Sequence, residues 1–95
     1  MDAIQQQVAD HFRLHRAELI EKKRTRRVAV PRMIAIYLTK EMAGLSLKKI
    51  GECFGGRDHS TIIHACEKIQ KDRQEDPELN REIDALILEL KNRKP

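Results

Sequence analysis

Phe54-Gly55-Gly56-Arg57-Asp58-His59-Ser60-Thr61 is the stretch that decides the fold. Two adjacent glycines tolerate a positive φ, so the backbone can reverse tightly there without a Cβ clash. Asp58 stands where a helix would begin, and its carboxylate can accept from the free N–H groups of a first turn. Ile62, Ile63, Cys66 and Ile69 then follow as an apolar stripe at helical spacing. The turn therefore hands over to a helix, expected over residues 58–74, whose first outward side chains are His59, Ser60 and Thr61. On the near side of the turn, Ser46 can cap a shorter helix from Leu47 to Phe54 that buries Leu47, Ile50 and Phe54. A helix, a glycine turn and a second helix with polar residues at its start make a helix-turn-helix over residues 46–74. In such motifs the start of the second helix meets base edges in the major groove.

The flanking sequence reads as more helix. Residues 2–14 give an opening helix, with Asp2 as its cap and Ile4, Val8, Ala9 and Phe12 on one face. Its expected role is core packing; contact with acidic lipid or a preceding domain is the other reading. Asp2 and Asp10 speak against lipid. A short second helix spans Arg16–Glu21. Pro31 fits the first turn of a third helix that runs to about Met42, with Gly44 as its left-handed cap. Ile34, Tyr37, Leu38 and Met42 share one face, widened by Met33, Ala35 and Ile36. That breadth predicts a central helix, with Tyr37 in the core rather than as a base-stacking platform. Asp76-Pro77-Glu78 starts a last helix over residues 77–93, whose Ile83, Leu86, Ile87 and Leu90 would cover the core.

Composition and charge narrow the class. The 95 residues suit one small domain, and a single Tyr, two Phe and no Trp favour helix over sheet. The expectation is an all-α domain of about six helices over residues 1–95. Between Arg13 and Arg57 there are twelve Lys or Arg against four Asp or Glu, so the net charge of +4 is concentrated in that half. Such a stretch suits a polyanion. Its densest part, Lys22-Lys23-Arg24-Thr25-Arg26-Arg27, reads as a solvated basic loop. Beside a helix-turn-helix, such a loop runs along a phosphate backbone or enters a minor groove, where the flat guanidinium of Arg meets a strong negative potential. Lys48 and Lys49 face outward, open to phosphates. Asp58 can accept from a cytosine amino group as well as cap its helix, while His59, Ser60 and Thr61 can reach base edges. Arg57 can hold a phosphate or pair with Asp58.

The run Gly51-Glu52-Cys53-Phe54-Gly55-Gly56-Arg57-Asp58-His59-Ser60-Thr61-Ile62-Ile63-His64-Ala65 resembles the signature of the C-terminal DNA-binding domain of the bacterial replication initiator DnaA. The likeness extends upstream through Arg32-Met33-Ile34-Ala35-Ile36-Tyr37-Leu38 to Lys22–Arg27, and fades after about Lys71. It implies binding to a short, A·T-leaning replication-origin element of duplex DNA. Arg24 would enter the minor groove, and its neighbours Lys22, Lys23 and Arg26 would meet phosphates. Arg32 and Lys40 would lie along the DNA backbone. Ser60 stands where the family commonly shows Thr, keeping the hydroxyl and losing the methyl. Met33 stands where it often has Gln. The resemblance further implies ATP bound by another part of the initiator; this chain has no G-x-x-x-x-G-K-[ST] loop, so no cofactor is expected here. The partners implied are duplex DNA and the rest of the initiator, with acidic phospholipid a weaker third.

Other chemistry finds little footing. His11 and His15 lie four apart, and Cys53, His64 and Cys66 could be imagined around zinc, yet there is no C-x-x-C pair. His64 is expected at the edge of the bundle. No nucleophile has a partner arrangement at sequence level, so no enzyme is expected. Two cysteines without a secretory signal suggest reduced thiols in the cytoplasm. A stand-alone transcriptional regulator and a helical adaptor for an acidic protein are the competing classes.

Overall fold

The computed structural model describes residues 2–21 and 26–92. They form six helices and no strand: α1 (Asp2–His11), α2 (Arg16–Ile20), α3 (Arg26–Ala43), α4 (Leu47–Cys53), α5 (His59–Glu75) and α6 (Pro77–Asn92). The all-α expectation holds. The Asp2 side chain and residues 22–25 lie outside the described residues, and so does the end of the expected 77–93 helix beyond Asn92.

α3 is the axle. Ile34 through Thr39 are buried without a break, so every side of that turn and a half is covered. A helix apolar all round must be surrounded, and α1, α2, α4 and α5 all pack on α3. Thr39 is tolerated there because its hydroxyl donates to the Ala35 carbonyl one turn back, at 2.8 Å. Tyr37 is core: its hydroxyl donates to Gln70 Oε1 at 3.0 Å and accepts from Arg73 Nη1 at 3.1 Å. Arg73 also donates to Asn80 Oδ1 at 2.8 Å and to Asp84, so one guanidinium ties α3, α5 and α6 together. α6 closes against α1 as well, through His11–Glu82 at 2.9 Å and Gln7–Glu89 at 2.5 Å.

Two boundaries and one burial differ from the sequence reading. α3 begins at Arg26 rather than at Pro31, so the last two residues of the expected basic loop are helical. Pro31 lies inside the helix and is buried. The partner its missing N–H deprives is the carbonyl of Arg27, an exposed residue in the first turn, where water can serve instead. Ile63 is exposed, and the buried stripe of α5 is Ile62, Ala65 and Ile69. α1 stops at His11, not at residue 14. Arg13 takes φ 57°, with Leu14 N–H on the Ala9 carbonyl at 2.8 Å and Arg13 N–H on Asp10 at 3.3 Å. That is a Schellman end built on a residue with a Cβ. Arg13→Gly is expected to raise stability by about 1 kcal/mol by relieving the left-handed strain. A urea midpoint at or below wild type would contradict it.

Candidate nucleic-acid interface

α4 starts as its sequence dictates: Ser46 Oγ accepts from Lys49 N–H at 3.1 Å, and Lys48 and Lys49 are exposed. Its other end is held from α1, where buried Gln5 donates to the Cys53 carbonyl at 3.0 Å. The chain then turns on one acceptor. The Gly51 carbonyl takes Phe54 N–H at 3.2 Å, Gly56 N–H at 2.9 Å and Arg57 N–H at 3.0 Å. Gly55 and Gly56 have φ 84° and 79°, the left-handed values expected of the pair. Gly51 answers a different need: a Cβ there would stand 2.1 Å from the Arg57 carbonyl oxygen. Phe54, fully buried, pins the turn to the core.

α5 leaves the turn under the Asp58 cap, whose Oδ1 accepts from Thr61 N–H at 2.9 Å. Asp58, His59, Ser60 and Thr61 are all exposed, and Ile62 immediately behind them is fully buried. The helix is thus anchored from its fourth residue while its tip stands free. The two faces of the motif meet in a shallow depression lined by Lys48 and Glu52 of α4 with Gly56, Arg57, Asp58 and His59. Thr61, through its N–H and then its hydroxyl, holds the Asp58 carboxyl below the ordinary carboxylate range. The cap therefore contributes fully above the unfolded value near 4, and its contribution is lost as pH falls through the lower folded value. Glu18, held low chiefly by His15 N–H, acts in the same direction. Stability is expected to fall less between pH 7 and pH 3 in Asp58→Asn than in wild type, by urea unfolding; equal falls would contradict it.

Two of the arginines expected at phosphates bond to carbonyls of the protein itself. Arg32 is buried, and its Nε donates to the Leu19 carbonyl at 2.8 Å and its Nη2 to those of Glu18 at 3.1 Å and Glu21 at 2.6 Å. Arg57 does not pair with Asp58: it donates to Ile20 at 3.2 Å, to Glu21 at 2.9 Å and to the carbonyl of Phe54. The two guanidiniums collect the last carbonyls of α2, which have no helical partner. They also place two positive charges at the negative end of a helix dipole. Burial lowers the pKa of both from the ordinary arginine value, and for Arg32 the neighbouring Arg57 charge adds to it. The sequence carried a hint of this, since α2 ends without a glycine cap of its own.

The remaining candidates fall into separate places. Arg26 is exposed in the first turn of α3, and Arg27 pairs with Glu18 at 3.1 Å. Lys40 is exposed on a different groove, between α3 and α5, together with Tyr37, Cys66 and Lys71. Lys22, Lys23 and Arg24 lie outside the described residues. His64 is exposed, because it follows Ser60 by one turn on the outward side of α5. Among the described residues no group of three His, Cys, Asp or Glu could hold a metal. Cys53 and Cys66 are free and half-buried, and burial pushes the Cys66 thiol up.

The model of the family described as the bacterial dnaA protein helix-turn-helix matches residues 1–69. The chromosomal replication initiator protein DnaA of Symbiobacterium thermophilum is 50% identical over 88 residues, 93% of this chain and 19% of that protein. Its namesake in Laribacter hongkongensis is 44% identical over 92 residues, 97% of this chain and again 19% of the relative. The chain thus spans about a fifth of the length of these relatives. With the helix-turn-helix geometry in place and the likeness running along almost the whole chain, the chain belongs to the bacterial DnaA helix-turn-helix family.

Proposed function

We propose that this domain binds duplex DNA sequence-specifically at a short replication-origin element of the DnaA-box type. The tip of α5 enters the major groove, and Arg24 enters the adjacent minor groove. The observation that carries the reading is the free tip itself: four short polar side chains, Asp58 to Thr61, stand exposed on a helix whose next residue is locked in the core. Hydroxyl, imidazole and carboxylate groups at the start of such a helix are the donors and acceptors that base edges require. Lys48 borders the same depression and supplies charge toward a flanking phosphate. Lys22, Lys23, Arg26 and Lys40 add to the sequence-independent attraction.

Arg32 and Arg57 act in this reading by holding the end of α2, the element that leads into residues 22–25. No catalytic step and no cofactor is assigned to this chain; ATP would belong to another part of the initiator. The rest of the initiator is the protein partner that fits the relatives' greater length. Acidic lipid is a poor neighbour for α1, whose Asp10 is exposed and bonded to Gln6 at 2.9 Å. The setting is the bacterial cytoplasm, on the nucleoid.

Selection of bound duplexes from a random pool at physiological salt tests the reading. A recurring short element related to replication origins supports it. A promoter-type element points to a transcriptional regulator, and no element at all points to a protein adaptor. Lys48→Ala is expected to weaken binding to every sequence alike and to lower the slope of log K against log salt by about one. An unchanged slope removes Lys48 from the interface.

A further inference from the structure

Two large apolar side chains stay exposed among the described residues, Ile63 at 41% and Leu88 at 60%. Leu88 belongs to α6. Ile63 belongs to α5, three residues after Ser60 and four after His59. Residues at those spacings are neighbours on one helix surface. Ile63 therefore continues the outward face of the helix tip by one turn. It is no accident of a loosely held helix, because Ile62 and Ala65 on either side are buried. The fold does not ask for it: a β-branched residue is a poorer helix former than Lys or Glu, and its exposed surface is paid for in hydration.

Resting on the DNA-binding reading above, the geometry points to Ile63 as a specificity-determining residue that packs on the C5-methyl of a thymine. The thymine methyl is the apolar group that base pairs present in the major groove. A polar side chain at position 63 would gain nothing from it, whereas an aliphatic one would. Ser60, one turn nearer the tip, carries no methyl for the task. Branching at Cβ leaves Ile63 essentially one rotamer in a helix, so little side-chain freedom is lost on contact.

The test uses the selected duplex with each thymine replaced in turn by deoxyuridine, which removes only the methyl. Dissociation constants are measured for wild type, Ile63→Ala and His59→Ala, with thermal midpoints confirming that each is folded. At one thymine, wild type is expected to weaken about fourfold on losing the methyl, the size of one buried carbon. Ile63→Ala should be insensitive at that thymine and weaker on the intact duplex by a similar factor. His59→Ala should keep the methyl dependence there. If both losses simply multiply at every thymine, the inference is overturned while the selected sequence and the His59 effect leave the DNA-binding reading standing. If wild type shows no sequence preference, both fall together.

Discussion

Arg32→Ala is expected to lose about 2–3 kcal/mol of folding stability, because the carbonyls of Leu19 and Glu18 lose their guanidinium donor while that of Glu21 keeps Arg57, and an acceptor left unpaired costs roughly 1–3 kcal/mol. Arg32 serves Glu18, Leu19 and Glu21, and it is 7% exposed, so water is poorly placed to replace it. For a small domain held by some 5–15 kcal/mol this is a large fraction of the total. Arg32→Lys should recover little, since one ammonium cannot present the planar fork that reaches three carbonyls. Arg57→Ala should cost less, its guanidinium being half-buried rather than buried. Urea unfolding of the three variants measures this. The competing outcome is specific: near-native stability with a salt slope of DNA binding lowered by about one would return Arg32 to the phosphate backbone, where the family resemblance puts it.

That contrast shows what sequence can carry. The caps at Ser46 and Asp58, the glycine pair and the proline opening α6 are local: each residue answers a backbone need within three or four positions, so each can be read where it stands. The central place of α3 follows from the width of its apolar face, again a local pattern. Arg32 and Arg57 are different. Apart from Phe54, three residues before Arg57, their partners lie 11 to 37 residues away, and an arginine in a basic stretch looks the same whether its fork meets a phosphate or a carbonyl. Gly51 hides similarly, since only the folded turn brings the Arg57 carbonyl onto its Cα. The start of α3 is harder to read, because a proline signals a helix start strongly yet can sit farther in where the carbonyl it orphans is open to water. Ile63 fell into the apolar stripe because Ile62 and Ile63 are consecutive, and hydropathy alone cannot say which of the two faces inward.

His59→Ala is expected to cost about 1–3 kcal/mol on the selected element and far less on random duplex, the difference between losing a base contact and losing general attraction. His59 is the first helical residue of α5, exposed, beside Asp58 and across the depression from Lys48. Its side chain is exposed, so truncation should leave the fold and its urea midpoint unchanged. Lys48 differs in kind: its charge attracts any phosphate, so its loss should be the same for both duplexes. Competition binding of the two variants against both duplexes, at two salt concentrations, separates the roles. Equal losses for His59→Ala on both duplexes would mean that the tip touches the backbone and does not read bases. Discrimination would then have to come from the Arg24 arm in the minor groove, where the pattern distinguishes little beyond A·T from G·C. A site read that way would tolerate most changes among A·T pairs, which the selected sequences would show directly.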